Sequence, residues 1–117
     1  MQSRQQIDRM MQALCDMFNN CDIRCAEPYF APDISYDSMW ILSTMKGKRS
    51  VCFYLETKFN AMLSEKNRPK AAVVENQPAL LIRQGEVLVA LTADMRSGLV
   101  THLSLVEPTF FIDQKKQ

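Results

Sequence analysis

The sequence predicts an α+β fold in the order ααββαββββ, with three helices in the N-terminal half packed in a strongly curved antiparallel sheet. Three observations predict it: apolar stripes at helical spacing at the start of the chain, another such stripe after Lys46-Gly47-Lys48, and four β-rich runs parted by short breaks. A sheet of that kind wraps around a long helix and leaves a cavity at its wide end.

The first helix is expected from Gln2 to Asn20. Its apolar residues Ile7, Met10, Met11, Leu14, Met17 and Phe18 recur at intervals of three and four, which puts them on one face. Asn19 and Asn20 punctuate its end. Asp22 can cap a second short helix carrying Cys21, Cys25, Tyr29 and Phe30, and Pro32 is expected to stop it. From Asp33 to Leu42, β-branched and aromatic residues (Ile34, Tyr36, Trp40, Ile41) predict strand one and the start of strand two.

Gly47 breaks that pattern. Gly47 or Ser50 can cap a third helix, in which Val51, Tyr54, Leu55, Phe59, Met62 and Leu63 return at helical intervals. A charged loop, Ser64 to Lys70, then leads into runs at Ala71 to Glu75, Ala79 to Arg83, Glu86 to Asp94 and Leu99 to Val106. Their separators, Asn76-Gln77-Pro78, Gln84-Gly85 and Ser97-Gly98, suit antiparallel hairpins, so a meander is expected. The chain reads as one domain over residues 1–112, followed by a solvated tail over 113–117.

Composition narrows the function. Fourteen Lys and Arg nearly cancel thirteen Asp and Glu for a net charge of +1, so no broad positive field draws in nucleic acid or anionic lipid. No run approaches membrane-spanning length, and no apolar segment follows the polar opening Met1 to Gln6, which predicts a cytoplasmic protein. Cys15, Cys21, Cys25 and Cys52 lie within helical patterns and read as reduced core thiols. Two thiols at Cys21 and Cys25 without a nearby His fall short of a zinc site, so neither metal nor cofactor is expected.

The motifs Asn20-Cys21-Asp22, Phe30-Ala31-Pro32-Asp33, Leu42-Ser43-Thr44-Met45-Lys46-Gly47-Lys48 and Gly98-Leu99-Val100-Thr101-His102-Leu103, in that order, resemble the nuclear transport factor 2-like superfamily. This superfamily includes the SnoaL-like cyclases and ketosteroid isomerases, and the resemblance implies a cystatin-like cone. Laid over this chain, the isomerase pattern puts its general base at Ser38 and its oxyanion-hole tyrosine at Leu14. Its protonated aspartate would fall among Val87 to Leu91, where the chain has no carboxylate. The resemblance therefore implies the scaffold and not that chemistry.

On that scaffold the alternate residues of strand one look into the cone. Tyr36, Ser38, Trp40 and Tyr54 are the expected ligand-binding set, since a phenol, a hydroxyl and an indole on an apolar wall orient a small ligand. The sole histidine, His102, joins them if it points inward; alternation leaves its direction open, because the opposite face of its strand (Leu99, Thr101, Leu103 and Leu105) is at least as apolar. His102 and Asp37 are the candidate proton-transfer bases of an isomerase-, cyclase- or hydratase-type enzyme. Lys46, Lys48 and Arg49, at the start of the third helix, form a candidate anion site. The expected partner is a small apolar or weakly polar molecule. A homodimer through the outer sheet face is expected from the resemblance, and the apolar Phe110-Phe111-Ile112 stretch would suit an interaction module.

Overall fold

The computed structural model describes residues 3–63 and 68–108. Helix α1 spans Arg4–Asn20. Ser3 starts it with a reciprocal cap: its side chain accepts from the Gln6 amide, and the Gln6 side chain accepts from the Ser3 amide. The predicted stripe is the buried one, with Met10, Met11, Leu14, Met17 and Phe18 all in the core. At the other end Cys21 takes a left-handed conformation (φ 50°), and the Asp22 amide donates to the Met17 carbonyl at 3.0 Å, closing the last turn.

The second helix is instead two 3-10 turns, Ile23–Cys25 and Glu27–Tyr29. Asp22 does cap the first, accepting from the Arg24 amide at 3.0 Å. Pro28 explains why no longer helix forms: it lacks an N–H and disfavours helical geometry at the residue before it. Pro32 does not stop a helix either. It lies inside strand β1, Phe30–Ser38, within the break of register between Phe30 and Ser35, where a missing ladder donor is tolerated.

Residues 39–44 turn rather than extend, and the second strand, β2, is only Met45–Lys46. Helix α2 covers Lys48–Leu63, and its first-turn bond runs from the Val51 amide to the Gly47 carbonyl at 3.0 Å, so Gly47 is the capping residue. Val51, Leu55 and Phe59 bury one face, and Phe59 meets Phe18 of α1 edge-on at 5.4 Å.

The meander forms β3 (Lys70–Val73), β4 (Ala79–Gln84), β5 (Val87–Arg96) and β6 (Leu99–Val106). Ser97 and Gly98, both at positive φ, make the two-residue turn between β5 and β6 that matches the strands' twist. The sheet order is β2-β1-β6-β5-β4-β3. Its one departure from expectation is that β1 runs parallel to β6, so the sheet is mixed rather than antiparallel.

Both long helices pack on the sheet's inner face, where Ile34, Tyr36, Leu80, Ile82, Val89, Leu91 and Leu103 complete the core. Asn19 ties α1 to the sheet edge: its amide side chain accepts from the Ala71 N–H at 2.7 Å and donates to the Ala71 carbonyl at 3.1 Å, as a neighbouring strand would. Among the described residues no helix is long and apolar enough to cross a membrane. The Phe110-Phe111-Ile112 stretch and the tail over 113–117 lie outside the described residues.

Candidate functional site

A cavity of about 110 Å³ lies between α2 and the inner face of the sheet. Its apolar walls come from Phe18 and Leu55 on the helices and from Ile82, Val89 and Leu105 on the strands. Tyr36, Tyr54 and Gln84 supply polar groups to the lining. Trp40, 58% exposed, and Val87, 53% exposed, mark the opening, together with the exposed Lys58.

Tyr36 is the most deeply placed of the polar groups, only 4% exposed. Burial pushes its phenol up from about 10 to about 12; the neighbouring Tyr54 adds to the rise, while a hydrogen bond with Ser38 opposes it. The Tyr36 and Tyr54 rings lie 5.5 Å apart, and the Lys58 ammonium sits 5.3 Å from the centre of the Tyr54 ring.

Three of the five residues expected to meet a ligand, Tyr36, Trp40 and Tyr54, therefore come together. Ser38 is buried, but it does not form the cavity wall; its hydroxyl accepts from the Trp40 amide at 3.1 Å and shapes the turn that carries Trp40 to the opening.

His102 is on the opposite side. It pairs in register with Ser35, whose neighbours Ile34 and Tyr36 point inward, so His102, Ser35, Asp37 and Ser104 share the outer face. There they form a chain of contacts: Ser35 Oγ to His102 Nδ1, His102 Nε2 to Asp37 Oδ2 at 3.0 Å, and Ser104 Oγ donating to Asp37 Oδ1 at 2.6 Å. The two candidate bases thus bind one another outside the cavity, so of the two directions open to His102 it takes the outward one and leaves the expected ligand-binding set. Serine, imidazole and carboxylate in that order can activate a nucleophile. Ser35, however, lies where β1 pairs with strands on both sides, so the amides beside it serve the ladder rather than a developing oxyanion.

The basic cluster is also dispersed. Lys48 Nζ pairs with Glu27 Oε1 at 3.8 Å, Lys46 lies exposed on β2, and the groove holding Lys48 and Arg49 is lined by Glu27 and Glu56 as well. The carboxylates offset the cations, so the three do not converge on one anion. All four cysteines are free thiols. Cys15 donates to the Ala71 carbonyl at 3.2 Å, and burial pushes both its thiol and that of Cys52 up. Among the described residues no cluster of His, Cys, Asp and Glu could hold a metal ion.

Sequence reasoning passed over Lys58. It looked like one more solvated lysine, although its position four residues after Tyr54 placed both on one side of the helix.

No known protein family and no curated protein matches the sequence. Solved structures do match the fold. A nuclear transport factor 2-like protein of unknown function from Mesorhizobium loti superposes with a TM-score of 0.73 at 10% identity, over 91% of this chain and 94% of that one. A SnoaL-like protein of unknown function from Burkholderia thailandensis gives 0.68 at 12% identity, over 88% and 94%. A putative ketosteroid isomerase from Kribbella flavida gives 0.62 at 12% identity, over 86% and 76%. The chain thus shares the curved-sheet, helix-filled fold of these structures, and likeness at this level of identity speaks for the fold alone.

Proposed function

We propose that this protein is a small-molecule-binding domain whose ligand occupies the apolar cone beside Tyr36, Tyr54 and Trp40. The observation that carries the reading is the cavity itself, a hollow bounded mostly by apolar side chains with a few phenol, amide and indole groups among them, which is the make-up of sites that orient small ligands. Among the described residues its walls contain neither histidine nor carboxylate, which favours binding over proton transfer. A thermal-shift screen of small hydrophobic molecules tests it. Binders raise the melting temperature and shift the emission of Trp40, the sole tryptophan. A broad screen in which neither signal moves overturns the reading.

We also propose a homodimer through the outer sheet face. Leu81 and Val106 there flank the small residues Ala79 and Ala90, with Lys70 and Arg83 toward one end and Asp37 and Asp94 toward the other. A two-fold axis can set those opposite charges against each other across an apolar centre. Sedimentation velocity checks it: the wild type sediments as a dimer and Leu81→Arg as a monomer, whereas a wild type that is monomeric at every concentration refutes the interface.

A further inference from the structure

The inference that goes furthest concerns the charge of the ligand, and it rests on the binding-domain reading. Among the described residues Lys58 is the one charged group in the cavity wall and makes no ion pair; it lies over the face of the Tyr54 ring. A cation over an aromatic face still carries an uncompensated positive charge. Among the described residues, an anion arriving at the opening therefore gains Lys58 without displacing a carboxylate and meets none in the wall. Tyr54, whose ring Lys58 covers, adds a phenol donor to the same part of the wall. Ile82, Val89 and Leu105 contribute hydrocarbon from the inner face of the sheet, with Gln84 beyond Ile82 on β4.

Size restricts the rest of the molecule. The cavity measures about 110 Å³. An apolar hollow of about 150 Å³ holds a benzene molecule, so this smaller one, open at one end, takes at most a single ring or a short aliphatic chain and excludes fused-ring ligands. One ammonium, with no guanidinium fork beside it, suits a monoanion better than a phosphate dianion.

We propose that the ligand is a small monocarboxylic acid, arylalkyl or short-chain, with its carboxylate at the opening on Lys58 and its hydrocarbon against Ile82, Val89 and Leu105. The carboxylate adds selectivity to an affinity that burial of the hydrocarbon supplies. At a partly solvated site that selectivity is about three- to fivefold, because water and salt screen the pair.

Calorimetric titration of the full chain with phenylacetate, its neutral amide phenylacetamide and the cation phenethylamine tests this. The acid is expected to bind about fivefold tighter than the amide, with the amine weakest and the preference fading in high salt. Lys58→Met, a change at an exposed helix position, is expected to abolish the preference by bringing the acid's affinity down to the amide's. Equal binding of acid and amide, or a preference that survives Lys58→Met, overturns the anion proposal and leaves the cavity reading standing. Failure of all three probes, with no response at Trp40, removes the cavity reading and this proposal with it.

Discussion

Replacing Tyr36 by Phe should change how stability depends on pH. Tyr36 is 4% exposed and its phenol is pushed from about 10 to about 12, so between those values the unfolded chain loses the proton while the folded chain keeps it. Because the folded value is raised, the stabilisation is fully present below pH about 10 and is lost as pH rises through about 12. Two units correspond to roughly 3 kcal/mol once both states have ionised, and to a little over 1 kcal/mol at about pH 11. Urea denaturation followed by circular dichroism at about pH 8.5 and about pH 11 measures it, with wild type and Tyr36→Phe compared at each. The cysteine and lysine titrations common to both proteins cancel in the difference. Wild type should lose about 1 kcal/mol more than the variant over that interval. Equal losses would refute the account, since the Tyr36 hydroxyl would then be as well solvated in the fold as outside it.

Three further outcomes follow from the same structure. Leu14→Ala, at a fully buried core position, should cost about 2–5 kcal/mol, while Leu42→Ala, wholly exposed, should stay within about 0.5 kcal/mol; thermal denaturation separates them. Asn19→Ala removes both hydrogen bonds to Ala71 and should cost about 1–2 kcal/mol, with hydrogen exchange of the Ala71 amide accelerated while the β4–β5 amides keep their protection. His102→Ala should leave the affinity of any cavity ligand within about twofold, because the imidazole is on the outer face; a tenfold loss in titration calorimetry would return His102 to the site.

How much of this was legible in the chain differs from element to element. The stripe from Ile7 to Phe18 and the run Val51, Leu55, Phe59 announced both long helices, because burying one side of a helix leaves a period that can be read without knowing what it packs against. The hairpins were legible for a similar local reason, the chemistry of their turns. What pairs distant strands was not: β1 meets β6 across more than sixty residues, and no local pattern states that the two run parallel. The direction of His102 was illegible for a sharper reason. Between Asp94 and Met95 the pairing with β6 jumps from His102 to Val100, leaving Thr101 as an extra residue. Val100 is therefore buried on one side of that step and Leu103 and Leu105 on the other, and simple alternation along Leu99 to Val106 gave two equally apolar faces. Of the expected site, Tyr36 and Tyr54 were visible as aromatics at predicted inward positions, whereas Lys58 depended on which side of α2 met the sheet's open end.

The most direct test of the central claim is a methyl nuclear magnetic resonance titration with phenylacetate. The account predicts saturable shifts at Ile82, Val89 and Leu105, with Leu81 and Val106 on the outer face unmoved. Shifts concentrated at Leu81 and Val106, or none at the cavity methyls at saturating acid, would contradict it.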